Sequence, residues 1–384
     1  MAILVAVLAL TACGGSSKPT INILSPTAET KVSPTSIATS APGSLSSGFL
    51  YRALGESADT IWLVKADFSQ QTVATIPHAS NYGSWPSLSP DGRYLAYTAF
   101  PQGAVDPRLD SQLWLLELAT GKRQQLADHL QLQGFPMWSP DSSAIMVVRL
   151  QAAATQLVQI SLSGGAPKGE STVMSVASSD LLGLLTLGYS AAGRNFYLLQ
   201  IPAANPGSDI ASVNISDGSV TTLFRAGPSS VIDPTLSPDR TKVSWSGIGC
   251  NGVCVGDMAT GAVRTLISAA LGVAPYFRPA WTSDGARLAI GHQPASEGGA
   301  GPVVFNLADG SGNPLAAPAA GFDAPMGWSS DGRLLFVHST TARTTGQPGD
   351  TSIVAIDTVS GQRHEIAKTT SLVDVLSIGW LNLR

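Results

Sequence analysis

The side chains of this sequence that are best suited to chemistry include five repeated aspartates and five histidines. The aspartates are Asp91, Asp141, Asp239, Asp284 and Asp331, each two residues after a Ser or Thr. Their carboxylates could ligate calcium, but an Asp at such a place also stabilises a turn by accepting backbone N–H groups, which explains all five without a metal. The histidines, none of which stands at ligand spacing from a partner, are His78, His129, His292, His338 and His364. The sequence therefore predicts structural turn aspartates, no metal site and no cofactor.

Two of the cysteines lie close together, because Cys250 and Cys254 flank the segment Asn251-Gly252-Val253. Asn-Gly is a strong signal for a hairpin turn. In an oxidising compartment we expect the pair to form a disulfide across the hairpin tip. A loop this short restricts little of the unfolded chain, so the disulfide should stiffen the hairpin locally. A redox role is the alternative, although the spacing differs from Cys-x-x-Cys.

A hydrolase nucleophile is not evident in the residues. The sequence contains no Gly-x-Ser-x-Gly elbow, and the nearest string is Gly327-Trp328-Ser329-Ser330-Asp331. That string coincides with one of the repeated turns described below, and we interpret it as turn chemistry. We therefore predict no catalytic residue.

The start of the sequence points to a lipid anchor. Residues Ala2 to Leu10 form an apolar run of signal-peptide length, too short to cross a bilayer as a permanent helix. They lead into Leu10-Thr11-Ala12-Cys13, which resembles a bacterial lipobox. The resemblance implies that residues 1–12 are a cleaved signal peptide and that Cys13 carries acyl chains, which bind a membrane at about 0.8 kcal/mol per buried methylene. No Lys or Arg precedes the run, unlike in most signal peptides, and the alternative is a buried N-terminal strand with an incidental Cys.

Composition separates a tether from a folded body. About half of residues 14–48 are Ser, Thr or Pro, so this stretch cannot bury enough apolar surface to fold and is predicted to be a flexible tether. In the whole chain only 12 % of residues are charged, against 39 Gly and 25 Pro, which favours short strands joined by tight turns. The net charge is −4 and no segment clusters Lys and Arg with aromatics. These features exclude a nucleic-acid partner.

The body, residues 49–384, repeats itself at roughly 45 to 52 residues. Its first anchor is an apolar residue followed by Ser or Thr, Pro or Ser, Asp and Gly, and then by a β run. The clearest copy begins at Leu88, others begin at Trp138, Leu236, Trp281 and Trp328, and degenerate ones begin at Tyr189 and Ile378. A second anchor, an apolar strand closed by a turn such as Ala119-Thr120-Gly121, occurs between the first ones. Both series give seven units.

Seven units of this length, each with room for four strands, predict an all-β, seven-bladed β-propeller. Six or eight blades are the alternatives. Ser377 to Leu383 supplies a single anchor strand, whereas Phe49 to Ile76 supplies three strands without an anchor. We expect the two ends to pair and close the ring, because pairing covers edge strands that would otherwise template aggregation.

The anchors resemble the PD40, or WD40-like, repeats of the TolB-type propeller family over nearly all of residues 49–384. The clearest carriers are Ser89-Pro90-Asp91-Gly92, Ser139-Pro140-Asp141 and Ser237-Pro238-Asp239. Ser142 and Arg240 depart from the pattern, since each stands where it has Gly. The resemblance implies the propeller fold. TolB carries a further α/β domain that the short tether cannot supply, so we do not carry over a role in the Tol system.

These features together predict a lipid-anchored propeller in the periplasm or at the cell surface that binds a protein, peptide or glycan without catalysis. Contacts are expected on the long connections Pro101 to Ser111, Pro294 to Pro302 and Thr340 to Asp350. The alternative is an extracytoplasmic hydrolase, lyase or lactonase that gathers His and carboxylate side chains, or a metal, at the channel mouth.

Overall fold

The computed structural model describes residues 45–383, apart from residues 108, 133, 152, 205–206, 229–230, 248–249, 267–270, 272, 296, 346, 348 and 372–373. Every helix or strand assigned in these described residues is a β-strand. The predicted signal peptide, Cys13 and residues 14–44 of the predicted tether lie outside them. The described part of the chain holds no helix that is long and apolar enough to cross a membrane.

The strands form seven blades, each built on a four-stranded sheet. Blade 1 contains β1 (Gly48–Ala53), β2 (Ala58–Val64) and β3 (Gln70–Pro77), and is completed by the last strand of the chain. Blade 2 contains β4 (Trp85–Leu88), β5 (Tyr94–Ala99), β6 (Ser111–Glu117) and β7 (Arg123–Leu130). Blade 3 contains β8 (Met137–Trp138), β9 (Ala144–Leu150), β10 (Ala154–Ser163) and β11 (Ala166–Ala177). Blade 4 contains β12 (Leu181–Tyr189), β13 (Asn195–Pro202), β14 (Ser208–Asn214) and β15 (Val220–Gly227).

The second half of the ring is less regular. Blade 5 contains β16 (Val231–Leu236), β17 (Lys242–Gly247), β18 (Cys250–Asp257) and β19 (Val263–Leu266). In blade 6 the first strand is divided into β20 (Val273–Tyr276) and β21 (Ala280–Trp281), and the second into β22 (Arg287–Ile290) and β23 (His292–Gln293). After β24 (Gly299–Ala300), blade 6 ends with β25 (Val303–Asn306) and β26 (Gly312–Pro314). Blade 7 contains β27 (Gly321–Trp328), β28 (Leu334–Thr340), β29 (Thr351–Asp357) and β30 (Arg363–Thr369). β24 pairs with β27 in parallel. The last strand of the chain is β31 (Val375–Leu381).

The two ends of the body pair with each other, as predicted. β31 lies antiparallel to β1, with the register running from Gly48 opposite Leu381 to Ala53 opposite Val375. Blade 1 therefore takes its innermost strand from one end of the described chain and its other three strands from the opposite end. The predicted all-β fold, the seven blades and the closure of the ring are confirmed.

The repeated aspartates shape the turn between the first and second strands of a blade. In blade 2, Ser89 Oγ donates to Asp91 Oδ1 at 2.6 Å, and the same oxygen accepts the N–H two residues further on at 3.1 Å. The same two contacts recur at Asp141, Asp239, Asp284 and Asp331. Gly92 has a φ of +71°, a left-handed conformation that favours glycine. Ser142 (+60°) and Arg240 (+63°) adopt the same conformation, so the turn survives both departures from the repeat.

Tryptophan anchors tie neighbouring blades together. Trp138 in blade 3 donates its Nε1–H to the Ser87 carbonyl in blade 2 at 3.2 Å. Trp281 and Trp328 make equivalent bonds to the blade before them, at 3.2 and 2.9 Å. A buried Trp needs such a partner for its N–H, and here the partner is always the preceding innermost strand. The anchors thus fix the innermost strands relative to one another.

The order of the strands gives the disc two different faces. The turn face carries the Asp-containing turns, such as residues 89–92. The loop face carries the connections between the second and third strands of a blade, such as residues 100–110, and those between blades, such as residues 78–84. The Leu383 N–H donates to Ser47 Oγ at 3.0 Å, and Asn382 lies against Gly92. The first described residues and the last strand therefore meet on the turn face.

The predicted hairpin tip at Asn251-Gly252 is not observed. Both residues lie within β18, and the connection from β17 comes before Cys250. Cys250 stands opposite Gly247 and Cys254 opposite Trp245, so β18 bulges between the two cysteines. The bulge absorbs the Asn-Gly pair without reversing the chain. The two sulfur atoms lie 2.14 Å apart and the Cα atoms 5.9 Å apart, which places a disulfide across the bulge.

Candidate functional site

The innermost strands surround the central channel, and four blades share one local pattern there. The residue three positions before the apolar anchor is followed by Pro in blades 2, 3, 5 and 6, and the four residues are Trp85, Phe135, Asp233 and Arg278. Proline cannot donate to the sheet and restricts the residue before it. In blade 5 the register shifts at this point, and in blade 6 the strand is interrupted between Tyr276 and Ala280. We call the four residues the channel layer.

Contacts within the channel layer show that its members meet. The Trp85 and Phe135 rings lie edge to face, with centroids 5.0 Å apart. The Arg278 guanidinium carbon lies 5.6 Å from the centroid of the Phe135 ring, within the range of a cation–π contact. Blades 3 and 6 stand on opposite sides of a seven-membered ring. The Arg278 side chain therefore reaches across the channel.

Asp233 and Arg278 form an electrostatic pair in the channel wall. Burial raises the pKa of the Asp233 carboxyl, and the positive charge of Arg278 opposes that shift. Burial lowers the pKa of the Arg278 guanidinium, and Asp233 opposes that shift in turn. The Arg278 side chain is nevertheless reached by solvent, as expected for a group in an open channel that protein surrounds on all sides. Titratable groups perturbed in this way within a concave surface mark a candidate functional site.

The backbone at Asp233 is strained. Its φ is +48°, a value that residues other than glycine rarely adopt, and the following Pro234 disfavours compact conformations in the residue before it. The Thr235 hydroxyl donates to the Asp233 carbonyl at 3.2 Å, and Arg278 Nε lies 3.5 Å from the same hydroxyl oxygen. Strain of this kind costs about 1–3 kcal/mol and is concentrated at functional sites.

Apolar side chains extend the surface beside the channel layer. Leu182 and Leu185, both on the innermost strand of blade 4, are 60 % and 46 % exposed. Blade 4 stands between Phe135 in blade 3 and Asp233 in blade 5. The channel therefore offers aromatic and aliphatic surface next to one cation and one carboxylate, a set of groups suited to binding.

The residues singled out from the sequence stay apart from one another and from the channel layer. Each of the five aspartates accepts hydrogen bonds within its own turn. Hydrogen bonds from Ser139 and Ser143 lower the pKa of Asp141. Hydrogen bonds from Ser329 and the Arg333 N–H lower the pKa of Asp331. The buried histidines His78, His292 and His338 belong to different blades or connections. Among the described residues, no group of three or more His, Cys, Asp and Glu side chains could hold a metal ion.

The channel layer was missed when the sequence was considered alone, although a signal for it exists. The repeats were recognised by the Ser-x-Asp turns, which follow the anchor residue. The channel residues precede the anchor residue. In four repeats a proline stands two positions before the anchor, and the channel residue stands directly before that proline. The pairs are Trp85-Pro86, Phe135-Pro136, Asp233-Pro234 and Arg278-Pro279. Aligning the repeats on their anchors would have brought these four pairs into one column.

Comparison with known proteins agrees with this fold. No protein-family model matches the chain. The Tol-Pal system protein TolB of Francisella tularensis subsp. mediasiatica (strain FSC147) is 24 % identical over 215 residues, which are 46 % of this chain and 48 % of that relative. The chain thus spans about half the length of the curated relatives it matches.

The solved structures of similar fold include two that illustrate its range. TolB from Acinetobacter baumannii has a TM-score of 0.52 at 17 % identity, with 87 % of this chain and 66 % of that chain covered. Oligogalacturonate lyase in complex with manganese has a TM-score of 0.55 at 14 % identity, with 86 % of each chain covered. At such identities the likeness concerns the fold alone.

The fold and the channel define a seven-bladed β-propeller whose enclosed surface combines aromatic and charged groups. Its repeated anchors and its TolB relatives bear out the predicted resemblance to TolB-type propellers.

Proposed function

We propose that this chain is a non-catalytic binding module that works outside the cytoplasm, is held on a membrane by lipid at Cys13, and takes a segment of a partner protein into the channel mouth. The channel layer carries the proposal. It is the place where aromatic rings, a cation and a carboxylate from four blades come together.

A peptide segment fits the chemistry of the channel layer. Trp85 and Phe135 offer apolar faces, Arg278 can bind a carboxylate, and Asp233 can accept an N–H group. Aromatic residues and arginine are also the types that dominate binding energy at protein interfaces. A peptide presents apolar, acidic and N–H groups in one narrow chain, so a single segment can satisfy all three demands. An acidic glycan would also stack and pair, and the experiment below separates the two.

The curated relatives support a protein partner, since they are named as proteins of a Tol-Pal system. The named partners of that system are not carried over to this chain.

An enzyme has less support from the described residues. The cluster closest to a catalytic triad contains Asp59, His78 and Ser84, but Ser84 Oγ donates to Asp59 at 2.6 Å, and His78 Nε2 faces the other oxygen of the same carboxylate at 3.0 Å. The serine thus has an acid as its acceptor and no histidine to take its proton, contrary to what nucleophilic catalysis requires.

The geometry of the body supports partner binding at the loop face. The tether must join the body at Ser47, which lies on the turn face beside Leu383. A lipid on Cys13 would therefore pull on the face opposite to the long connections between strands. The loop face and the channel mouth would remain open to a partner in the envelope.

Site-specific photo-crosslinking tests the proposed site. Benzoylphenylalanine replaces Trp85 in one full-length protein and Val359 in another; Val359 is 83 % exposed in the third turn of blade 7, on the turn face, and serves as the matched control. Both proteins are expressed in their native host and irradiated. We expect an adduct from position 85 that protease digests, and no adduct from position 359. Adding Arg278→Glu to the position-85 protein should abolish its adduct.

Two results would contradict the proposed site: equal adducts from both positions, or no adduct from position 85. An adduct that resists protease and is removed by glycosidase would replace the peptide with a glycan. The anchor is tested separately with Cys13→Ala, which should move the protein from the membrane to the soluble fraction. Unchanged fractionation would remove the lipid anchor from the proposal while leaving the channel site standing.

A further inference from the structure

We infer that a buried network at the junction of blades 1 and 2 positions Trp85 within the channel layer. The network consists of Arg52, Asp59, His78 and Ser84, and each of these residues is at most 6 % exposed. Its importance for ligand binding rests on the proposed function, whereas its effect on the placement of Trp85 does not.

Asp59 is the centre of the network. Its Oδ2 accepts both the N–H and the Oγ–H of Ser84, each at 2.6 Å. Its Oδ1 lies 3.0 Å from His78 Nε2, and His78 Nδ1 lies 2.8 Å from the Ala79 carbonyl oxygen. The histidine thereby ties the carboxylate to the connection between blades 1 and 2. Hydrogen bonds to a buried carboxylate are stronger than those between neutral groups, so this centre is rigid.

Arg52 completes the network from the other side of Ser84. Its Nη1 donates to the Ser84 carbonyl at 2.8 Å and lies 3.6 Å from Asp59 Oδ2. All three polar groups of Ser84, the N–H, the hydroxyl and the carbonyl, are therefore held by side chains of blade 1. With its N–H and carbonyl both fixed, Ser84 has little freedom in φ and ψ. The next residue in the chain is Trp85, so its backbone starts from a fixed point.

Gly83 shows how closely the network is built around this segment. A Cβ atom at position 83 would lie 2.3 Å from Arg52 Nη1 and 3.0 Å from a methyl carbon of Leu54. A side chain at this position would displace the guanidinium from the Ser84 carbonyl, whereas glycine leaves room for it. The sequence Gly83-Ser84-Trp85 thus combines close approach, three held polar groups and a channel residue in consecutive positions.

The network also connects ring closure to the channel. Arg52 lies on β1 and stands opposite Leu376 of the closing strand, while Trp85 begins β4 in blade 2. Loosening the closure would shift Arg52 and with it the carbonyl of Ser84. A positioning role of this kind belongs to residues that support a binding group without touching the ligand.

The test compares two buried carboxylates that pair with arginine in different blades. Asp59→Asn keeps the shape but removes one acceptor from the network. Asp323→Asn is the matched control, because Asp323 is also fully buried and its carboxylate is held by Arg363 at 2.7 and 3.0 Å. The protein has eight Trp, so the Trp85 signal is isolated by subtracting the spectrum of the Trp85→Phe form in each background.

We expect Asp59→Asn to shift the isolated Trp85 emission and to increase its quenching by iodide, while Asp323→Asn lowers the melting temperature but leaves the Trp85 signal unchanged. The photo-adduct from position 85 should fall by about tenfold in Asp59→Asn and stay unchanged in Asp323→Asn. If Asp59→Asn does not fold, Ser84→Ala replaces it, since it removes one bond and keeps the Asp59–His78 pair. An unchanged Trp85 signal, or an equal change in both variants, would overturn the inference. The fluorescence measurement needs no partner, so it can fail independently of the proposed function.

Discussion

Leu381→Ala in the closing strand should lower the free energy of unfolding by about 3 kcal/mol. Leu381 is fully buried between blades 1 and 2, in a cluster with Leu50 and Leu95. The change removes apolar surface worth about 0.8 kcal/mol per methylene, and the cavity that remains adds to this loss. Denaturation with urea would measure the total. Leu335→Ala is the control, because Leu335 is equally buried but lies in blade 7, whose four strands β27 to β30 follow one another in the chain.

The two variants should differ in where the protein opens. β31 is joined covalently to blade 7 and held in blade 1 only by its pairing with β1 and by its packing. Leu381→Ala should therefore accelerate hydrogen exchange in β1 and β31 before other strands, whereas Leu335→Ala should act through global unfolding. A loss below about 1 kcal/mol, far under the usual range for a buried Leu, would refute the reasoning, as would the same exchange pattern in both variants.

Three further outcomes are expected. Hydrogen bonds lower the pKa of Asp331 in the folded state. Its contribution to the free energy of unfolding is therefore complete above the pKa of the unfolded state and is lost as the pH falls through the pKa of the folded state. In Asp331→Asn, stability measured by urea unfolding should depend less on pH below pH about 4. Ser142→Gly relieves a positive φ but loses the exposed hydrogen bond that Ser142 Oγ accepts from the Asp91 N–H at 3.2 Å, so it should raise the free energy of unfolding by less than about 1 kcal/mol. Arg240→Gly should gain less still, since it loses both a long side chain and its bond to the Tyr189 carbonyl at 3.1 Å. Peptide mapping without reductant should recover Cys250 and Cys254 in one linked peptide, and replacing both with Ser should change the melting temperature little, because the loop they close is short.

The fold could be predicted from the sequence because the turn geometry of a repeat is determined by residues that are neighbours in the chain. A turn such as Ser89 to Gly92 needs a hydroxyl, a carboxylate and a residue at positive φ within four positions, and all of these are visible in the residue types. Five such turns, together with the degenerate anchors at Tyr189 and Ile378, give the number of blades. The unmatched strands at the two ends then predict the closure, because an open propeller would leave two edges exposed.

The candidate site could not be predicted in the same way. Trp85 and Arg278 are distant in sequence, and nothing local indicates that they share a channel. Their meeting depends on the rotation between blades, which is a property of the whole ring. The prediction of a hairpin at Asn251-Gly252 was wrong for a related reason. A two-residue turn signal cannot show whether the strand resumes its pairing after these two residues, as β18 does where Cys254 stands opposite Trp245.

The propeller separates the residues that fold it from the residues that distinguish its channel. At the turn after five of the seven anchors, the same hydroxyl–carboxylate pair recurs because these blades reverse the chain in the same way. Three positions before the anchor, no turn has to be made, and the blades supply Trp, Phe, Asp and Arg to one layer. Side chains at this place are free to differ because they face the channel rather than a neighbouring blade. Variants at Trp85 or Arg278 should therefore change binding far more than stability, whereas variants at Asp91 or Asp331 should do the opposite.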